Sequence, residues 1–283
     1  MAAEEYKRIV WLASYPKSGN TWFRAFLANL LNKTNSPADI NELAGGPIAS
    51  SRQLFDEATG LSSSDMTPDE IDNLRPHVYE YIACNSAETV FHKIHDAYTQ
   101  TPDGIPLVPK NATLGALYFV RNPLDVAVSF AHHSNLSFEA ITAAMNNNDY
   151  AFCSKSSRLH MQLRQKLLTW SNHYLSWTRQ TDFPVMVMKF EDMKLNPFDS
   201  FSAAIKFCGL NYNDIEVNEA IRKSSFSELQ KQEKEKGFRE KSPDSQVFFR
   251  KGKIGSWKEE LPQTLVDIIR SDHREVMLQL GYH

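Results

Sequence analysis

The sequence predicts an α/β protein with a central parallel sheet flanked by helices on both faces. Two patterns carry that reading. Apolar runs of strand length alternate along the chain with longer stretches of helical period. Two of those runs also end directly in a polar turn that opens a helix.

Residues 9–13 (IVWLA) are apolar without interruption, the pattern of a strand buried on both faces. Turn formers follow in Ser14-Tyr15-Pro16-Lys17-Ser18-Gly19-Asn20. Trp22, Phe23, Phe26, Leu27, Leu30 and Leu31 then recur at helical spacing. Thr67, Pro68 and Glu70 form a helix start, with Thr67 as N-cap, proline in the first position and the glutamate closing a capping box. Residues 89–95 (TVFHKIH) read as a second strand. Residues 116–120 (ALYFV) read as a third, ending in the turn Arg121-Asn122-Pro123 with a helix behind it. Residues 185–188 (VMVM) supply a fourth. Leu163, Leu167, Trp170, Tyr174 and Trp177, spaced by four and three, predict a core-facing helix, with an acceptor-lining stripe as the alternative. Residues 228–246 are dominated by Lys, Glu, Gln and Ser. They read either as a solvated helix face with a surface loop or as a mobile lid.

Composition sets the class. With 42% hydrophobic and 23% charged residues, the 283-residue chain has an ordinary globular balance, and it is read as a single domain over 1–283 with a possible lid at 228–247. A net charge of −3 and no basic stripe argue against a nucleic-acid partner. Cys84, Cys153 and Cys208 are odd in number and lack metal-ligand spacing. They are expected to be small buried hydrophobes in a reducing compartment, with no disulfide framework and no metal. The first eight residues are polar and acidic, without the n- and h-regions of a secretory signal, and no run of about 20 apolar residues exists. The expectation is a cytoplasmic protein with no membrane partner.

A strand, a glycine-containing loop and a helix together make an anion site, because the helix start presents N–H groups and the positive end of its dipole. This loop is not a Walker A sequence, since G-x-x-x-x-G-K-[ST] is absent and Lys17 precedes Gly19. Residues 14–22 (SYPKSGNTW) instead closely resemble the 5′-phosphosulfate loop of the cytosolic-type sulfotransferases. Residues 118–130 (YFVRNPLDVAVSF) are similar to that family's 3′-phosphate segment, and residues 250–258 (RKGKIGSWK) to its RKGxxGDWK motif. The three occur in order and reach from about residue 8 to residue 258. The resemblance implies a P-loop-like sulfotransferase fold. It also implies transfer of a sulfuryl group from 3′-phosphoadenosine 5′-phosphosulfate (PAPS) to an acceptor hydroxyl, releasing the desulfated nucleotide PAP.

PAPS carries two separated anionic groups, so its binder needs two anion sites. The amides of Ser18, Gly19, Asn20, Thr21 and Trp22, together with Lys17, suit the 5′-phosphosulfate. Arg121 and Arg250 offer paired donors to the 3′-phosphate. Ser129 lies almost two helical turns beyond Arg121, and its hydroxyl faces the same task. Gly252 permits close approach of backbone amides, within the motif that also holds Phe249 and Lys251. By the resemblance, Trp22 stacks on adenine, and Ser224 and Phe226 of an SSF triplet correspond to the family's TSF adenine contacts. Phe190 stands where many members have Tyr. Ser256 replaces the Asp of the last motif, which predicts loss of a local cap.

For the reaction, Lys17 is placed on the leaving phosphate. The KxH of Lys93 and His95 resembles the strand motif bearing the family's catalytic histidine and auxiliary lysine. Residues two apart on a strand share a face, and a neutral imidazole suits general-base work. His132 and His133 are the alternatives. Competing readings are a P-loop small-molecule kinase, a carbohydrate sulfotransferase with a glutamate base, and a nucleotide-binding protein without catalysis. The acceptor is a small molecule, a glycan or a secondary metabolite, met by residues 35–80, 134–165 and 228–247. Oligomeric state stays open, because the residues after Trp257 depart from the KxxxTVxxxE dimer motif.

Overall fold

The computed structural model describes residues 8–32, 34–154, 159–243 and 245–283. Residues 1–7, residues 155–158 of a segment expected to meet the acceptor and residue 244 of the segment read as a possible lid lie outside that set. In chain order the elements begin β1 (Ile9–Ser14), α1 (Asn20–Leu31), α2 (Arg52–Thr59), α3 (Pro68–Asn85), β2 (Val90–Ile94) and β3 (Thr113–Val120). There follow α4 (Pro123–Ser134), α5 (Phe138–Met145), β4 (Ala151–Phe152), β5 (Gln165–Lys166), α6 (Trp170–Arg179) and β6 (Val185–Lys189). The chain ends with α7 (Phe190–Leu195), α8 (Pro197–Phe207), α9 (Asp214–Lys223), α10 (Phe226–Lys236), α11 (Trp257–Glu260), α12 (Gln263–Asp272) and α13 (Arg274–Gln279).

Four strands make one sheet in the order β2-β1-β3-β6, and they are the four apolar runs of the sequence. β1 and β2 are parallel, with Ile9 opposite Val90 and Ala13 opposite Ile94. Every residue of β1 is buried, as its unbroken apolar run predicts. The capping box at Thr67 forms as expected: the Thr67 hydroxyl accepts from the Glu70 amide, and Glu70 accepts from the Thr67 amide.

The chain divides into two compact units. The first holds residues 1–15, 45–118 and 148–187, and its core gathers around β1. There Trp11 packs edge-on to Tyr79 and donates from its indole N–H to the Thr113 hydroxyl at 2.9 Å. The buried guanidinium of Arg75 bridges α3 to the end of β2 through both Asp96 oxygens, at 2.9 and 2.8 Å. The second unit holds residues 16–44, 119–147 and 188–283. Phe23, Phe26, Phe119 and Phe201 form its aromatic core, with Phe26 and Phe201 centroids 4.4 Å apart. A second cluster joins Ala25, Ile40, Leu229, Phe238 and Phe249.

Three expectations need correction. Leu163 and Leu167 are buried but flank β5 instead of lying on a helix; α6 starts only at Trp170. Leu168 adopts a left-handed φ of 58°, which no α-helix can contain, and Thr169 then caps the helix by accepting from the Asn172 amide. The core-facing half of that reading holds, since Trp170, Tyr174 and Trp177 are buried. The antiparallel ribbon β4–β5 was not anticipated, because two residues per strand leave no period to read. Of the cysteines only Cys208 is buried; Cys84 lies exposed on α3 and Cys153 is half-exposed, and all three are free thiols.

Candidate active site

In the second unit the loop ahead of α1 is shaped by two left-handed residues, Lys17 with φ 71° and Gly19 with φ 103°. A Cβ on Gly19 would stand 2.8 Å from the Phe190 ring, so close packing excludes a side chain there as well as the backbone angle. A non-glycine residue held left-handed is strained, and Lys17 carries that strain at the position assigned to the leaving phosphate. Its ammonium rests 3.8 Å from the centroid of Phe248. The Ser18 hydroxyl is buried and has no hydrogen-bond partner among the described residues. The Trp22 amide, expected to face the anion, instead donates to the Gly19 carbonyl at 3.0 Å. Anion-facing amides are therefore confined to residues ahead of Trp22.

Trp22 packs edge-on to Phe190 and Phe201. Its indole N–H is buried without a partner among the described residues. Lys194, which the sequence reading missed, places its ammonium 5.3 Å from the Trp22 ring and 5.8 Å from that of Phe226. It lies one turn beyond Phe190 on α7, so the pair shares a helix face, and this spacing was the only signal available. Burial, aided by the charge of Arg121, lowers the Lys194 pKa from the usual lysine value. Phe226 also explains Gly252: a Cβ there would meet its ring at 2.5 Å. Ser224 is fully buried, and its hydroxyl donates to the Ile221 carbonyl at 3.2 Å.

Arg121 leaves β3 buried, 7% exposed. Its guanidinium lies over the Phe190 ring at 4.4 Å and donates to the Lys253 carbonyl at 2.9 Å and the Lys17 carbonyl at 3.4 Å, while Nε has no partner among the described residues. Burial lowers its pKa from the usual arginine value; the charge of Arg250 adds to this, and Asp125 and Glu191 oppose it. Among the described residues no carboxylate comes within ion-pair range of Arg121. A buried cation left in that state costs several kcal/mol unless an anion joins it. Ser129 is half-buried on α4.

Arg250 and Lys251 are held differently, by the carboxylate of Glu260 on the one-turn α11. His132 also reaches Glu260, at 2.7 Å, while His133 packs edge-on to Phe248. Phe249 is buried, and both it and Phe248 donate their amides to Glu233 of α10. The segment 228–247 is further anchored by Arg24, whose buried guanidinium reaches Glu240 at 2.7 and 2.9 Å. As expected of serine in that place, Ser256 makes no side-chain cap to α11, and a residue from another helix takes the task. Asp125 of α4 accepts from the Gly255 amide, the Ser256 hydroxyl and the Trp257 amide, at 2.7, 3.0 and 3.1 Å.

Lys93 and His95 belong to the first unit. Lys93 is on β2 and His95 is the residue just past its end. Both are half-buried and alternate with buried His92, Ile94 and Asp96, which preserves the shared face expected of the pair. His95 Nδ1 lies 2.9 Å from the Ser14 carbonyl and 3.2 Å from the Ser14 hydroxyl. A carbonyl only accepts, so Nδ1 carries the proton and Nε2 is the basic nitrogen of the neutral ring. Behind it, His173 Nε2 donates to the His95 carbonyl at 2.9 Å, and His173 Nδ1 accepts from the Tyr118 hydroxyl at 2.8 Å. Burial lowers the His173 pKa to about 4, so this relay is neutral at pH 7. Sequence reasoning missed it, because its members are separated by 55 and 78 residues.

Known proteins resemble this chain over nearly its whole length. Residues 7–281 match the family described as the sulfotransferase domain. Cytosolic sulfotransferase 13 of Arabidopsis thaliana is 24% identical over 94% of this chain and 76% of its own length. Flavonol 3-sulfotransferase of Flaveria bidentis is 25% identical, over 92% and 78%. Luciferin sulfotransferase of Photinus pyralis is 25% identical, over 90% and 68%. Among solved structures, a mouse sulfotransferase complexed with PAP superposes with a TM-score of 0.57 at 22% identity, covering 97% of this chain and 86% of that one. Retinol dehydratase in complex with androsterone and PAP gives 0.61 at 16%, covering 98% and 82%. These likenesses show the fold, a central parallel sheet flanked by helices. The chain belongs to the sulfotransferase domain family, enzymes that move a sulfuryl group from PAPS to an acceptor.

Proposed function

We propose that this sulfotransferase acts on the hydroxyl of a small-molecule acceptor, with His95 as the general base. The observation that carries the proposal is the 2.9 Å contact of His95 Nδ1 with the Ser14 carbonyl. The Ser14 carbonyl accepts a hydrogen bond from Nδ1–H, which leaves Nε2 as the proton acceptor, and the neutral His173 relay holds the backbone of His95 in place. Relatives named for flavonols and luciferin support the acceptor class.

The remaining roles follow from charge. In an in-line displacement the acceptor oxygen attacks sulfur as the bond to the 5′-phosphate breaks, and His95 Nε2 takes the hydroxyl proton. Charge grows on the bridging oxygen, where Lys17 neutralises it, and the loop amides hold the equatorial oxygens. Arg121, Ser129 and the 250–252 segment hold the 3′-phosphate, for which the strongest support is buried Arg121, without a carboxylate partner among the described residues. Trp22, Phe226 and Ser224 take the adenine, with Lys93 auxiliary to His95. Among the described residues no helix is long and apolar enough to cross a membrane.

The test is His95→Ala. Turnover should drop by at least the roughly 10²–10⁴-fold typical of general-base catalysis, while PAP affinity stays within about twofold. Retention of more than about a tenth of wild-type turnover rejects His95 as the base.

A further inference from the structure

The two arginines given to the 3′-phosphate are in opposite states. Arg121 has no carboxylate partner among the described residues, whereas Arg250 is fully engaged. Both terminal nitrogens of Arg250 donate to the Glu260 carboxylate, at 3.0 and 2.9 Å. Lys251 reaches the same carboxylate at 2.8 Å, and His132 at 2.7 Å. Glu259 holds Lys251 from the other side at 3.0 Å. Burial acts to raise the Glu260 pKa, but the hydrogen bonds from Lys251, Arg250 and His132 prevail and bring it to about 2, so it is anionic at neutral pH.

Charge bookkeeping shows the consequence. Arg250 and Lys251 are matched by Glu259 and Glu260, so this pair of cations offers no net charge to an entering dianion. A phosphate brought to Arg250 would meet two carboxylates, and like charges at this range are repulsive. The planar guanidinium fork fits carboxylate and phosphate oxygens equally well, so the two compete for one set of donors. Arg250 and His132 also line a cavity of about 560 Å³ with Asn135, Ser137 and Gln246. Glu260 is also the last residue of α11, so rotation of its side chain gives up its contacts to Arg250, Lys251 and His132 but leaves the helix backbone as it is.

We propose that Glu260 holds the Arg250 donors in the place of the donor's 3′-phosphate, is displaced when the nucleotide binds, and thereby sets nucleotide affinity. This rests on Arg250 being a 3′-phosphate ligand, as read above. The arrangement has a use in turnover. PAPS and PAP carry the same 3′-phosphate, so gripping it more tightly stabilises substrate and product alike without lowering the barrier. An internal competitor keeps Arg250 and Lys251 together in the empty site and shortens the hold on PAP, in a class of step that often limits turnover.

The experiment titrates PAP and adenosine 5′-phosphate, which lacks the 3′-phosphate, into wild-type protein, Glu260→Gln and Glu260→Asp. Wild type should bind PAP more tightly than adenosine 5′-phosphate. Glu260→Gln should tighten PAP by about tenfold and leave adenosine 5′-phosphate within about twofold. Glu260→Asp, which keeps the charge on a shorter stem, should fall between wild type and the Gln variant and guards against a folding defect in either. Unchanged or weaker PAP binding by Glu260→Gln, with wild type still preferring PAP, overturns the competitor role while sparing the 3′-phosphate site. Failure of wild type to distinguish the two nucleotides overturns the site itself and the proposal with it.

Discussion

Individual residues divide by whether their role is written locally. Lys17, Gly19, Arg121 and Arg250 stand in short motifs, so the sequence alone named them, and the structure supplies reasons that the motifs lacked. Gly19 and Gly252 are required by rings, Phe190 and Phe226, against which any Cβ would collide. Phe190, a departure from the family's Tyr, is the surface on which both Gly19 and Arg121 rest. Lys194, Glu260 and His173 were not legible, because each matters only through groups brought to it by folding. His95 shows both cases: the KxH spacing named it, but its tautomer depends on the Ser14 carbonyl 81 residues earlier.

At the scale of elements, β1 and the end of β3 were readable because a strand buried on both faces leaves an unbroken apolar run, whereas β2 was read from its β-branched and aromatic content. Helix α6 was misplaced at its start, since apolar spacing continues through Leu163 and Leu167 while the backbone turns left-handed at Leu168. The end of β2, which positions His95, depends on a contact that no local pattern reveals. Arg75 of α3 is 1% exposed and holds Asp96, next to His95, while also donating to the Arg164 carbonyl and the Tyr79 hydroxyl at 2.9 Å each. Removing one member of such a buried pair strands the other charge. Arg75→Met should therefore lower unfolding free energy by about 3–5 kcal/mol, read from urea titration. A loss below about 1 kcal/mol would show that the pair does not anchor this strand end.

For the whole molecule, protonation links fold to pH. His92, His173 and His273 are all buried, and burial lowers each pKa from 6.5 to about 4. The unfolded chain takes up protons as pH falls through 6.5, whereas the folded chain resists until about 4. Their contribution is therefore present above pH 6.5 and is lost as pH falls towards 4, by up to about 3 kcal/mol for each histidine. Melting temperature should decline steadily from pH 7 to pH 5. A flat profile over that interval would mean that these rings are solvated in the folded protein.

The central claim is that the chain moves sulfur, in the form of a sulfuryl group, onto a small-molecule hydroxyl. It is tested most directly by incubating the protein with sulfur-labelled PAPS and a panel of phenols, alcohols, sugars and flavonols, then identifying the labelled species by mass spectrometry. The account predicts label on a hydroxyl of at least one small molecule, with one PAP released for each ester formed. Label appearing solely as inorganic sulfate, with none on any member of the panel, would contradict it.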